Sequence, residues 1–129
     1  MLVLDASAAV DLVAPSSRTS AVQRLVHGER LHAPHLMFSE VLSALRRMER
    51  AQRVTPAQAE VFVDRLRTLP VHTVWSVDWL DGAWSRREWL QTTDALYVAA
   101  AVRLGAPLLT TDQRLGRALA DRSIDVISV

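Results

Sequence analysis

Apolar and polar positions fall into short runs that switch between a strand-like and a helix-like period. Met1-Leu2-Val3-Leu4 is a continuous apolar stretch ending in Asp5, the pattern of a strand buried on both faces. Ser7 offers an N-cap, and a helix is expected from about Ala8 to Val13. Pro15-Ser16-Ser17 reads as a loop, and Thr19 to Val26 as a second short helix stopped at Gly28. Leu31-His32-Ala33 is a brief second strand ahead of Pro34. From His35 to about Gln52, Leu36, Met37, Val41, Leu45 and Met48 lie near one stripe, with Arg46, Arg47, Glu49, Arg50 and Arg53 largely elsewhere. This spacing predicts a long amphipathic helix. Glu40 departs from the pattern, an acid set among apolar positions.

Thr55-Pro56 is a cap followed by a first-turn proline, and the helix it opens should run to about Thr68, where Leu69-Pro70 ends it. Val71 to Trp75 alternates as a third strand, and Asp78 to Leu90 reads as a tryptophan-rich helix. The stretch TTDALYVAAAVRLGAPLLTTDQRL, Thr92 to Leu115, organises what remains. Its helix should start near Asp94 and bury Leu96, Val98, Ala99 and Val102, with Gly105 as a left-handed cap and Pro107 preventing a restart. Pro107 to Thr110 then has the look of a central parallel strand, and Asp112 falls just beyond its carboxyl end. A helix from Gln113 to Ala120 and a strand from Asp125 to Val129 follow.

Strands alternating with helices predict one α/β domain over residues 1–129, its parallel sheet of about five strands covered on both faces. Right-handed crossovers require the sheet to reverse its direction of growth, most naturally between the first strand and the fourth. The expected order is 3-2-1-4-5. That order makes Asp5 and Asp112 neighbours at the carboxyl edge, puts Asp94 on the same edge and lets Glu40 lean over it, in the crevice where such sheets bind ligands.

Composition narrows the chemistry. A chain of 129 residues with 50% hydrophobic content suffices for one core. The net charge of +1, from 15 basic and 14 acidic residues, provides no global field for nucleic acid or membrane. With 0 cysteines there are no disulfides, thiolate nucleophiles or zinc–thiolate sites, and the 4 histidines, His27, His32, His35 and His72, form no metal spacing. No apolar run has the length of a membrane span, and MLVLD reaches an acid too early for a signal peptide, so a cytoplasmic location is expected.

Asp5, Glu40, Asp94 and Asp112 come from four remote segments, and adjacent uncompensated acids repel, so they need a cation. Oxygen ligands without histidine or cysteine suit Mg2+ or Mn2+, which retains waters and takes a phosphate oxygen readily. The arrangement is that of metal-assisted phosphodiester cleavage. Ser7, Thr110 and Thr111 are placed to orient carboxylates or waters. Capping alone accounts for Asp94 or Asp112 taken singly, and Glu40 has the plainer option of a surface pair with Arg47. Asp5 resists such a reading, because a carboxylate ending a central strand is desolvated.

Two other functions fit an α/β domain with strand-end acids: phosphoryl transfer through an aspartyl intermediate, and a non-catalytic interaction module. The absence of lysine counts against the first, as does Asp5-Ala6-Ser7, which lacks the second aspartate of the phosphatase motif. Intact acids count against the second.

VLDASA around Asp5, FSEVLSAL around Glu40 and the Thr92 to Leu115 block with Asp94 and Asp112 together resemble the acidic blocks of PIN-domain ribonucleases, specifically the VapC-like toxins of type II toxin–antitoxin pairs. The resemblance spans essentially the whole chain. It implies a three-layer α/β/α sandwich, Mg2+ or Mn2+ dependence, endonucleolytic RNA cleavage, homodimerisation, and inhibition by a cognate VapB-like antitoxin in a larger hetero-oligomer. By position it makes Asp5, Glu40, Asp94 and Asp112 the catalytic, metal-binding acids, with Ser7 and Thr110 as the accompanying polar residues. Arg46, Arg47, Arg50, Arg53, Arg86, Arg87 and Arg114 are open to phosphate contacts or plain solvation. Trp75, Trp79, Trp84 and Trp89 are open to core packing, base stacking, an antitoxin groove or a dimer interface.

Overall fold

A computed structural model describes residues 1–129. Its elements run β1 (Leu2–Leu4), α1 (Ala6–Val13), α2 (Thr19–Val26), β2 (Leu31–Pro34), α3 (Leu36–Arg50), α4 (Pro56–Arg67), β3 (Val71–Val74), α5 (Trp79–Trp84), α6 (Thr92–Leu104), β4 (Leu108–Thr110), α7 (Gln113–Ala120) and β5 (Val126–Ser128). All pairings are parallel, in the order β3-β2-β1-β4-β5. The expected sheet and its reversal beside β1 are both present. One set of helices, α1 to α4, packs together, α5 packs on α6, and α6 lies against β1 and β2. The result is an α/β/α sandwich.

The centre of the sheet is apolar on both faces. Val3 pairs in register with Leu108, Leu4 with Leu109 and Leu2 with Leu31, and Val3, Leu4, Leu108 and Leu109 are fully buried. Each such side chain contributes about 1.5–3 kcal/mol relative to an exposed position. Because the middle strands are only a few residues long, the first polar residue after each falls at the sheet edge. That residue is Asp5 after β1. After β4 comes the Thr111-Asp112 pair.

Several boundaries differ from the sequence reading for identifiable reasons. Helix α1 starts at Ala6, two residues early, with Asp5 in the N-cap position but making no side-chain cap; Ser7 is inside the helix and its hydroxyl points elsewhere. Helix α6 starts at Thr92 and is buried almost all round, at Ala95, Tyr97, Val98, Ala99, Ala100 and Ala101. Val102, expected inside, is 52% exposed, because the small Ala99–Ala101 run is what lets α6 sit between the sheet and α5. The helix expected to continue to Leu90 stops at Trp84, after which the amides of Arg86, Arg87 and Trp89 bond back only three residues. Gly82 weakens that helix from within, and its carbonyl is taken by the side chains of Ser85 and Arg86.

Helix ends follow their caps. Thr55 and Gln58 form a capping box at α4. Gly105, at φ 60°, closes α6, with the Ala106 amide reaching back to Ala101. Helix α3 ends without glycine: Gln52 takes φ 55°, and the Arg53 amide returns to Met48. The tryptophans divide. Trp79 is in the core, Trp75 and Trp84 are largely exposed, and Trp89 is half-buried with the Arg122 guanidinium 4.2 Å from its ring. No helix is long and apolar enough to cross a membrane.

Candidate active site

Asp5 keeps the sheet register, its amide donating to the Leu109 carbonyl at 3.0 Å, so the side chain emerges at the carboxyl edge between β1 and β4. Only 6% of the residue is exposed. One carboxylate oxygen, Oδ2, accepts hydrogen bonds from Ser7 Oγ and Thr110 Oγ1, each at 2.6 Å. Burial pushes the carboxyl pKa above the ordinary aspartate value; the two hydroxyls pull it back in part, and the negative charge of Asp94 adds to the rise.

Ser7 does more than hold Asp5. Its Oγ lies 3.1 Å from Thr110 Oγ1 and accepts the amides of Thr111 and Asp112 at 3.0 and 3.2 Å. The hydroxyl therefore replaces a missing sheet partner at the end of β4 and clamps the Asp112 loop to α1. Thr110 Oγ1 also accepts the Asp112 amide, at 3.1 Å. Thr111, grouped with these residues in the sequence reading, contributes its backbone amide.

Glu40 lies one turn into α3 and is half-buried. Its Oε2 accepts the Tyr97 hydroxyl at 2.6 Å, so the suggested pair with Arg47 is replaced by a bond across to α6. Burial raises the Glu40 pKa, the Tyr97 bond and the Arg47 charge oppose this, and Asp5 and Asp94 reinforce it. Tyr97 itself is 1% exposed, and burial together with Glu40 drives its hydroxyl well above the usual tyrosine range, so at Glu40 it is a permanent donor.

Asp94 occupies the first turn of α6 and is buried; it is not a cap. Asp112 is a cap: its Oδ1 accepts the amides of Arg114 and Leu115 at 2.8 and 3.1 Å. That leaves Oδ2 turned to the crevice. There Arg114 Nη2 lies 2.7 Å from Asp94 Oδ2 and 3.3 Å from Asp112 Oδ2.

Asp5, Ser7, Glu40, Asp94, Asp112, Arg47 and Arg114 line one open cavity of about 250 Å3, with Gln91 and Thr93 at its rim. Thr110 supports the floor through Asp5 and Ser7. All four acids singled out from the sequence are thus brought together. Tyr97 and the bridging position of Arg114 were not foreseen. Tyr97 was open to discovery as a lone polar-tipped aromatic three residues after Asp94, hence on the same helix face; Arg114 is two residues after a strand-end acid.

The donor set suits a hard divalent cation. Every polar donor that faces the cavity from the acids is oxygen, no histidine or cysteine lines it, and burial leaves Asp5 and Glu40 short of positive charge. As the side chains stand, no three acidic or imidazole groups are close enough to grip an ion together. The cause is visible in their bonds: Tyr97 holds Glu40, and Arg114 holds Asp94 and Asp112.

An open parallel sheet of order 3-2-1-4-5 carrying acids from four segments at its carboxyl edge defines a class, and residues 2–119 match the PIN domain; the chain belongs to the PIN-domain family. Within that family it is 49% identical, over 118 residues, to Ribonuclease VapC3 of Mycobacterium tuberculosis, an overlap of 91% of this chain and 86% of that protein. The crystal structure of PAE2754 from Pyrobaculum aerophilum superposes with a TM-score of 0.71 at 27% identity, covering 99% of this chain and 88% of that one. VapBC2 from Rickettsia felis, crystallised with a DNA fragment from the promoter, shares the fold at a TM-score of 0.67 and 12% identity, over 98% of this chain and 97% of that one.

Proposed function

We propose that this protein is a VapC-like toxin, an endoribonuclease that hydrolyses RNA phosphodiester bonds with the help of Mg2+ or Mn2+. The observation that carries this reading is the meeting of Asp5, Glu40, Asp94 and Asp112 in one cavity, in a chain 49% identical to a named ribonuclease. Asp5, Asp94, Asp112 and Glu40 would hold the ion. When bound, a divalent cation neutralises the acids, polarises a phosphate oxygen and makes water a stronger nucleophile.

The chain's own residues set the geometry. Ser7 and Thr110 fix one oxygen of Asp5 and leave the other facing the cavity. Tyr97 fixes Glu40 in the same way, leaving its second oxygen available to the cavity. The Asp112 cap bonds point its outer oxygen inward. Arg47, at the rim, and the basic residues beyond it on α3 supply positive charge for the substrate backbone.

A VapB-like antitoxin is the expected restraining partner, and assembly as a homodimer the expected state. Exposed apolar side chains on α3 and α4, Leu42, Val61 and Val63, and around α5, Trp75, Leu80 and Trp84, are surfaces of the kind such assemblies cover.

The test is cleavage of an RNA pool by purified, partner-free protein with Mg2+ or Mn2+. Cuts should vanish with EDTA and in Asp5→Asn. Cleavage that persists unchanged in Asp5→Asn sinks the assignment.

A further inference from the structure

Arg114 is out of place for a residue that serves only its helix. It sits in the first turn of α7, where a positive charge opposes the helix dipole, yet its guanidinium turns back to bridge Asp94 and Asp112. The side chain is 50% exposed while that of Asp94 is 12% exposed, so the partner of the pair open to solvent is the arginine. A single nitrogen, Nη2, serves both acids. The remaining N–H groups of the fork have no protein acceptor. A guanidinium does not deprotonate in proteins, so it presents its charge to these carboxylates at every working pH.

On the reading that the acids bind a divalent ion, we infer that Arg114 is an internal counter-ion that competes with that ion for Asp94 and Asp112 and, once displaced, turns its fork to a phosphate of the bound RNA. A single positive charge holds two acids whose full neutralisation needs a double one. The exchange therefore favours the metal while making its binding weaker than bare carboxylates would allow. Release also places a planar, bidentate donor at the cavity rim, where phosphate oxygens fit it. Substrate and ion then support each other: the ion frees the arginine, and phosphate gives the arginine a partner away from the acids.

The experiment measures Mn2+ binding to the wild type, Arg114→Gln and Arg114→Lys without RNA, by calorimetry and by the electron-spin signal of free Mn2+, with melting curves confirming that each folds. Arg114→Gln is expected to lower the Mn2+ Kd by about three- to ten-fold, and Arg114→Lys, which keeps the charge, to stay near wild type. At saturating Mn2+, Arg114→Gln should raise the KM for RNA more than it lowers kcat. Equal or weaker Mn2+ binding by Arg114→Gln overturns the proposal and leaves the ribonuclease reading intact. No Mn2+ binding by any of the three overturns both, and a site seen in Arg114→Gln alone overturns the exchange, because the ion would then fail to displace the arginine.

Discussion

Tyr97 shows how little chemistry a residue needs in order to govern a reactive group. It is fully enclosed, and its hydroxyl donates to a carboxylate of the cleft. Phenylalanine fills the same space, so Tyr97→Phe should fold and melt within a few degrees of wild type. The folded enzyme, however, should cleave RNA roughly ten-fold more slowly because Glu40 loses its fixed orientation. Rates normalised to folded protein, read beside melting curves, check this; a change in melting with no change in rate marks Tyr97 as a packing residue. Asp5 is readable from sequence because a carboxylate ending a central apolar strand has few structural excuses; Glu40, Asp94 and Asp112 become legible only through the sheet edge they are expected to share. Tyr97 was hidden, since an aromatic in an alanine-rich helix looks like core. Ser7 has two expected roles, an N-cap and a hydroxyl that orients carboxylates; its hydroxyl donates to Asp5, and the cap loses to a tertiary demand, since the amides at the end of β4 need an acceptor.

Helix α7 approaches β5 closely at a single residue. A Cβ placed on Gly116 would collide with Ser128 on β5, approaching its Cβ to 2.9 Å, so the helix can lie this close to the edge strand only with glycine there. Gly116→Ala is expected to destabilise the fold by about 1–3 kcal/mol, measured by urea unfolding, and a variant as stable as wild type would show that α7 shifts freely. Strand and helix identity follow from period and caps, and the Thr55 cap and the Gly105 terminus both lie at the expected residues. Helix α5 ends earlier than its spacing suggests because Gly82 weakens it from within, and Val102 lies outside because amphipathic spacing does not reveal how closely two helices approach, the alanines that permit that approach carrying little periodic signal.

At the scale of the whole molecule, strand order and the reversal beside β1 were readable from chirality rules and the alternation of elements. The joint orientation of cleft side chains was not, because it depends on hydrogen bonds between segments far apart in the chain. The cleft also weighs on the stability of the entire fold. Burial raises the Asp5 pKa above its value in the unfolded chain, so the folded protein holds that proton more tightly. The resulting stabilisation is complete below the ordinary value of 3.8 and is lost as pH rises through the folded value. His32 pulls the other way, since burial and the neighbouring His72 lower its pKa from 6.5; acidification through that value costs the fold stability. Comparison with Asp5→Asn removes the His32 contribution. In EDTA, Asp5→Asn should gain stability over wild type as the pH rises from about 4 to neutrality, read as a growing difference in unfolding midpoint. A difference that is flat with pH would mean Asp5 ionises in the fold as it does in water.

The hydrogen bond from Thr110 to Asp5 joins residues 105 positions apart. During synthesis the ribosome therefore delivers the amino-terminal acid long before the strand and hydroxyl that shelter it. A nascent chain has nothing to cut with until nearly all of it has emerged. On the proposed ribonuclease function, that order of arrival withholds the complete acid cluster until synthesis is nearly finished.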